Sequence, residues 1–599
     1  MCHMDLKVQL KTLDLIVKII NGSMDRINLV EYAPQKVVFD RESPYEQAFL
    51  RATPESVGIS SRYLSRFLKD VSKDPLINMH GIMILKDGRV ISEAAFAPFQ
   101  KDLWHITHSM CKSITGLAVG LAVEEGFLSL DEKLVDIFRK KTNVISMVRL
   151  KNLTVEHLLK MSSGIIFNET GAVTENDWIK AYMESGISFE PGAEFAYNSM
   201  NTFMLSAIIK EKTGMGLMDY LKPRLWEPLG IRRVYWELNP RGIEKGGWGL
   251  SLCLEDMAKI GQLYLQKGMW NGVQLIPAWW IEESVTKKMD MPENMGNGYG
   301  YQIWMGKRPG SFQCNGMLGQ NIIVYPDLNM VIVNTAGNNE LFQTSRMMDV
   351  IGSYFETEKF HPDKALAEDA GAYRELQYVQ EHLKCSVPYE GALNQHGYLG
   401  GWPGKKEKVK RRRTRPDKAA RPEADAIRQL AGRKYVLEKN AAGILPIFLQ
   451  CFHNNYAKGL VSLEFAKEQD GLLIRMREGD SDFTVPIGFG SPAYGRFNIN
   501  GEPYEIGTVG EYTADEDGTA VLKTELSFIE TSNTRTIKFF FTEDGVRMVL
   551  DEIPGLNLIV EGVSSVIGKV GAAIVDVDYS QYKVKKALVP EIKGVMERR

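Results

Sequence analysis

The chain has 599 residues, 44% of them hydrophobic and 25% charged, a balance that can bury large cores and excludes the disordered and low-complexity classes. A formal net charge of −3 removes any whole-chain electrostatic case for nucleic acid or an anionic membrane as partner, and leaves a small molecule as the expected one. The six cysteines, Cys2, Cys111, Cys253, Cys314, Cys385 and Cys451, form no C-x-x-C pair and no disulfide-framework spacing, which favours a reducing compartment.

In chain order, the apolar stretch Leu13 to Ile20 is short, carries Asp14 and Lys18 and lacks a small-residue cleavage site, so it is not read as a signal peptide. No run approaches the ~18 apolar residues of a membrane span. A soluble, cytoplasmic protein is expected, with an N-terminal extension over 1–50. Pro and Gly punctuation in Arg51-Ala-Thr-Pro-Glu-Ser-Val-Gly58 marks the start of an ordered unit. Met79 to Gly88 and Arg89 to Phe96 predict a hairpin turning at Asp87-Gly88. Ile114, Leu117, Ala118, Leu121 and Ala122 predict a helix ending at Gly126, with Ser109 at its first turn.

Further helices are predicted over Val155 to Met161, Thr202 to Lys212 and Leu254 to Lys267, before a strand-rich run from Gly298 to Thr335. Helices between two strand regions imply a mixed α/β unit over 51–355 whose hairpin and later strands share one antiparallel sheet. A helical and basic linker is expected over 356–429. It includes an amphipathic helix over 363–384 and a stretch, Lys405 to Lys418, in which nine basic residues face only Glu407 and Asp417, read as solvated because no aromatic residues interleave. Short β-rich runs over 430–560 suggest eight to ten strands closed into an antiparallel barrel. Residues 561–599 form a tail in which Val563 to Val577 is apolar but interrupted by Lys569.

Attack on a carbonyl needs a nucleophile, a base and donors for the developing oxyanion. G-x-S-x-G, H-E-x-x-H, Walker A and a strand-flanked G-x-G-x-x-G are absent, and His105/His108 lack acidic or Cys neighbours for zinc. S-x-x-K remains, at Ser109/Lys112, Ser284/Lys287 and Ser580/Lys583, a pattern that chance supplies about twice in such a chain. Only Ser109 opens a long apolar helix, where i and i+3 share a face and the orphan N–H groups favour an alkoxide. A lysine base must be neutral part of the time, so burial or a phenol partner is needed. Tyr197, after the Pro191-Gly192 turn, is a candidate for that phenol.

These residues resemble the serine β-lactamase and penicillin-binding-protein-like hydrolases, close to class C β-lactamases, esterases of that fold and D-aminopeptidases. The resemblance spans about 50 to 355. It rests on His108-Ser-Met-Cys-Lys-Ser-Ile-Thr-Gly116, Leu153 to Gly164, Pro191-Gly to Tyr197-Asn-Ser199, Gly246-Gly-Trp-Gly-Leu250 and Gly316-Met-Leu-Gly-Gln320. It implies a five-stranded antiparallel sheet flanked by helices, with Ser109 as nucleophile, Lys112 as base and Tyr197 as proton relay. The C-terminal barrel looks like a lipocalin-like appendage.

Two departures stand out. Tyr-x-Asn becomes Tyr197-Asn198-Ser199, and the Lys-Thr-Gly strand is replaced by Ser311-Phe-Gln-Cys-Asn-Gly-Met-Leu-Gly-Gln320, which lacks the cation expected to attract a substrate carboxylate. Met317 is expected to offer its N–H to the oxyanion beside that of Ser109. Gly316, Ser199 and Asn198 are expected on the substrate side, and Tyr299, Tyr301 and Trp304 are candidates for the pocket wall.

The expected function is therefore a serine hydrolase that cleaves a small ester, amide or short peptide through an acyl-enzyme on Ser109. No metal or organic cofactor, nucleic acid or membrane is expected, and a homo-oligomer is compatible. The alternatives are a penicillin-binding or β-lactamase-like peptidase, and a non-catalytic scaffold in which barrel and basic linker carry the function.

Overall fold

The computed structural model describes residues 33–292, 295–340, 345–385, 423–468, 471–515, 517–555 and 589–597, with isolated positions in the first 32. The basic stretch 405–418, the apolar run 563–577 and the Ser580/Lys583 pair lie outside the described residues.

The first unit is built on one mixed-direction sheet. Its elements are β1 (Leu50–Arg51), α1 (Ser61–Lys73), β2 (Met79–Lys86), β3 (Arg89–Ala95), α2 (Cys111–Glu124), α3 (Ser199–Thr213), α4 (Leu254–Leu265), β4 (Trp304–Met305), β5 (Phe312–Gly316), β6 (Gln320–Tyr325), β7 (Met330–Ala336), α5 (Arg346–Phe355) and α6 (Ala370–Glu381). Sheet order is β1-β3-β2-β7-β6-β5-β4. The five long strands run antiparallel, with Ile84 opposite Ile332 and Ile323 also opposite Ile332, while the short β1 lies parallel to β3. The expected five-stranded antiparallel sheet is thus present, with a two-residue strand added at each edge.

Side chains alternate between its faces. Met83, Leu85, Val331 and Val333 pack with α2, α3 and α4 on one side. Ile82, Ile84, Ile323 and Ile332 pack with α1 and α5 on the other. Helix α2 is buried on all sides over Cys111 to Ala122, the pattern of a central helix rather than an amphipathic surface one. Gly120 is required there, because a Cβ would sit 2.3 Å from the Trp280 ring.

The segment 363–384 corrects its expected role as linker. Its helix, α6, packs on α1 and β3, and Leu376, Val379 and Leu383 enter the same core as Ile82 and Phe67. The apolar stripe read from the sequence is real, but what it covers is the sheet of the first unit. The N-terminal extension is likewise docked, with Phe39 beside Trp104 and Phe49 in the core of the first unit.

The second unit comprises β8 (Lys434–Leu437), α7 (Ile447–His453), β9 (Leu460–Glu468), β10 (Gly471–Glu478), β11 (Ser481–Phe489), β12 (Ala493–Ile499), β13 (Glu502–Ala514), β14 (Ala520–Phe528), β15 (Thr534–Phe541), β16 (Gly545–Ile553) and β17 (Glu591–Met596). Antiparallel order β11-β10-β9-β8-β17-β16-β15-β14-β13 is closed by a short parallel pairing of Gly488–Phe489 with Val509–Gly510, and β12 pairs beside β13. Closure leaves no open edge among the nine ring strands. The ring does not stop at 560 as expected: β17, from the segment read as tail, sits between β8 and β16. Its alternation was masked by Gly594, which faces inward without a side chain, and by Val595, an apolar residue on the exposed face. Inside, Leu472, Ile474, Phe483, Phe528, Phe539 and Ile592 share one core, so the lumen is filled with side chains.

Candidate active site

Three short strands prepare the site. His105–Ile106 pairs with Leu250–Leu252, which also pairs with Tyr235–Trp236. Thr107 doubles the strap, since both its N–H and its hydroxyl donate to the Leu250 carbonyl at 2.8 Å. The chain then enters a 3-10 turn, His108–Met110, that runs straight into α2. Ser109 therefore sits in the turn before the α-helix rather than in its first turn, with Lys112 one turn on. His108, next to it, holds a left-handed φ of 47°, a conformation that costs a non-glycine residue about 1–3 kcal/mol and is kept only where the surroundings enforce it.

Lys112 is buried and donates three hydrogen bonds: 2.8 Å to Ser109 Oγ, 3.0 Å to Ser199 Oγ and 2.6 Å to the Gly247 carbonyl. All three ammonium protons are thus satisfied. Burial nevertheless disfavours the charge and lowers the Lys112 pKa to about 8, against smaller upward influences of Cys111 and Glu169.

When Lys112 loses a proton, one donor becomes a lone pair that must meet a donor. The Gly247 carbonyl can only accept, and the Ser199 hydroxyl already donates to Glu169 Oε1 at 3.3 Å. The Ser109 hydroxyl is left to give its proton. Tyr197 hydrogen-bonds Ser109, and Lys112 Nζ lies 5.1 Å from the Tyr197 ring centre. Burial raises the Tyr197 phenol far above its ordinary value, so it is a donor here and not a phenolate.

Ser199, expected on the substrate side, instead completes the lysine's shell. Asn198 also departs from expectation. Its amide donates to the Ile165 and Phe167 carbonyls at 3.0 Å each, and its Oδ1 caps α3 through the Met200 N–H at 2.9 Å. Its side chain holds the 165–167 segment to the start of α3.

Gly316 ends β5 against the turn that carries Ser109: a Cβ there would lie 2.4 Å from the Thr107 carbonyl oxygen and 3.0 Å from the Met110 nitrogen. Only glycine lets the strand come this close. Met317 follows at the β5–β6 turn, next to Leu318, which is left-handed at φ 63°. In place of a cationic strand, Cys314 is buried and Asn315 donates to Asn321 at 2.6 Å.

Tyr299 and Trp304 pack with Phe195, Tyr197 and Met161, an apolar wall beside the phenol. Tyr301 belongs elsewhere, its hydroxyl on Glu156 and its ring stacked on Trp280. Ser284 back-bonds to the Trp280 carbonyl within its own helix, which removes the second S-x-x-K. His105 pairs with His80 at 3.0 Å, and among the described residues no group of three or more His, Cys, Asp and Glu is placed to hold a metal ion.

Sequence reading missed Glu169, the Gly247 carbonyl and two contributions from the barrel. The Gly246-Gly-Trp-Gly landmark pointed to the Gly247 region without saying that a carbonyl was the working group. The barrel contributions are Ser532, whose hydroxyl lies 3.3 Å from His108 Nε2, and Phe448, whose ring is edge-on to His108. No local signal marks either residue.

Residues 78–342 match the Beta-lactamase family model. The chain is similar to 6-aminohexanoate-dimer hydrolase of Paenarthrobacter ureafaciens, 24% identical over 280 residues that cover 42% of this chain and 70% of that protein. Among solved structures, a penicillin-binding protein homologue of Caulobacter crescentus aligns with a TM-score of 0.42 at 15% identity, over 49% of this chain and 97% of that one. An octameric penicillin-binding protein homologue of Pyrococcus abyssi aligns with a TM-score of 0.40 at 18% identity, over 82% of this chain and 99% of that one. No helix among the described residues is long and apolar enough to cross a membrane. The match to that family model over residues 78–342, together with the similarity to a hydrolase, supports a serine hydrolase domain of the Beta-lactamase type in this part of the chain.

Proposed function

We propose that this enzyme hydrolyses small esters or amides, short amide oligomers among them, through an acyl-enzyme on Ser109. The single observation that carries the reading is the bonding of Lys112, in which the Gly247 carbonyl can only accept, the Ser199 proton is engaged by Glu169 and the third partner is the Ser109 hydroxyl.

In the acylation step neutral Lys112 takes the Ser109 proton while Oγ bonds to the substrate carbonyl carbon. The carbonyl becomes an oxyanion facing the N–H groups of Ser109 and Met317. As the bond to the leaving group breaks, Tyr197 passes it a proton and is reprotonated from Lys112. Water then attacks the acyl carbon, gives its proton to the same pair, and the Ser109 alkoxide recovers one on release of the acid.

The strand without a cation argues against substrates selected by a carboxylate, and so against strong β-lactamase or carboxypeptidase activity. The similarity to 6-aminohexanoate-dimer hydrolase supports linear amides as the first class to try. A fluorophosphonate probe, read by intact mass and peptide mapping, tests the reading. One adduct on Ser109, absent in Ser109→Ala, is expected together with turnover of p-nitrophenyl esters and aminohexanoate dimers. Turnover retained in Ser109→Ala overturns it, and stable acylation by penicillin in place of ester turnover would assign the penicillin-binding alternative.

A further inference from the structure

The barrel touches the hydrolase unit at two residues of the site that hold left-handed backbone. His108, just before Ser109, and Leu318, just after Met317, are both non-glycine residues in the left-handed region. Each flanks one of the two N–H groups assigned above to the oxyanion, and such backbone persists only where neighbours over-determine it.

Beside the Glu340 carbonyl and Asn338 N–H that bond the Leu318 backbone at 3.0 Å each, the neighbours of both residues include two barrel segments. In the β14–β15 connection, the Glu530 carbonyl accepts from the Ile106 N–H at 2.9 Å, and Ser532 Oγ lies 3.3 Å from His108 Nε2 and accepts from Gln320 Nε2 at 3.1 Å. Gln320 Nε2 also contacts the Met317 carbonyl at 3.2 Å. One hydroxyl thus ties the residue before the nucleophile to the side chain that holds the oxyanion strand. From α7, Phe448 forms a buried cluster with Leu318, with Met317 and Phe452 packed against it, and both rings stand edge-on to His108. The helix is itself pinned from the barrel interior: Glu552 accepts from the Ile447 N–H at 3.0 Å and from buried Arg535 at 2.6 Å.

We infer that Ser532 is a positioning residue of the active site, and that the barrel is an intramolecular part of the catalytic apparatus, which sets the spacing of the two oxyanion donors. The inference rests on the acyl-enzyme reading given above.

The test is Ser532→Ala in the full chain, with the rate of Ser109 phosphonylation and the ester kcat and KM all normalised to the fraction of sites that eventually label. Because small misplacements of a preorganised site are expensive, the phosphonylation rate and kcat should fall by roughly tenfold or more. KM, the melting temperature and the final stoichiometry of one label per chain should be unchanged. Phe448→Leu, which keeps apolar fill but removes the ring from His108 and Leu318, should act in the same direction, and it serves if the first variant does not fold. Wild-type rate constants per labelled site in either folded variant overturn the inference. Failure of the wild-type chain to label overturns the acyl-enzyme reading instead.

Discussion

Nε2 of His453, in the barrel, lies 3.3 Å from a carboxylate oxygen of Glu237, in the hydrolase unit. Nδ1 is 3.6 Å from Glu502, and Glu237 also accepts from Lys245 at 2.6 Å. Burial alone would lower the imidazole pKa, yet the two carboxylates overcome it and raise it to about 9. Burial would raise the Glu237 carboxyl, but Lys245 and His453 hold it well below the ordinary carboxylate range.

The signs of these shifts fix a window. A raised histidine stabilises fully below its unfolded pKa of about 6.5 and loses that contribution as pH rises through 9. A depressed glutamate stabilises above its unfolded pKa of about 4.3 and loses it as pH falls. Thermal stability should therefore peak between about pH 5 and 7 and decline above pH 8. His453→Gln should flatten the alkaline limb and lower stability at pH 6.5 by about 3 kcal/mol or more, because it leaves buried carboxylates uncompensated. Chemical denaturation of both proteins across pH checks this, and equal alkaline slopes would dismiss the pair as the cause.

A second expectation concerns Lys112. If neutral Lys112 is the base, kcat/KM should rise with pH and level off above about 8. Ser199→Ala removes an acceptor of the ammonium and so further disfavours the charged form. The acid limb should then move to lower pH while the plateau falls, since the lysine loses one of its three fixed partners. A limb that stays in place would mean that another group titrates there.

At Gly316 the expectation is steric. In Gly316→Ala the new carbon meets backbone at 2.4 Å and not a movable side chain, so the strand and the nucleophile turn must part. Activity should drop by about 10²-fold, with a stability loss of about 1–3 kcal/mol from overpacking. Kinetics and urea unfolding would measure the two losses separately.

Arg535 and Glu552 allow a further separation. Both are buried in the barrel, with side-chain exposures of 2% and 1%. Arg535→Met should destabilise by about 3–5 kcal/mol because Glu552 is left buried without its cation. Arg535→Met combined with Glu552→Leu should recover much of that loss, but not the hydrogen bond that fixes Ile447. The double variant is thus expected to be stable yet slower in turnover, and full recovery of both would refute the coupling.

The sheet unit was legible because its signals are local. The hairpin at Asp87-Gly88, the apolar helix after Ser109 and the strands after Gly298 each lie within a few residues of their own cues. Ser109 and Lys112 are three positions apart, so helical geometry alone brings them together. Ser199 and Asn198 show where motif reading stops. The positions are as read, but their side chains face the lysine and the 165–167 segment respectively. The α6 stripe indicates a covered face without naming what covers it. Contact between His108 and Ser532, 424 positions apart, has no periodic or compositional trace at all, and neither has the insertion of β17.

That insertion orders events in time. Because β17 fills the gap between β8 and β16, the ring cannot complete until residues 591–596 have been synthesised, long after Ser109, Lys112 and Tyr197 have left the ribosome. Domains generally fold from the N-terminal side first during synthesis. A nascent chain would then hold a finished sheet and an assembled Ser109–Lys112 pair, while the wall that presses on His108 and Leu318 was still incomplete. If the barrel sets the spacing of the site as inferred, full activity would be reached only on closure of the ring.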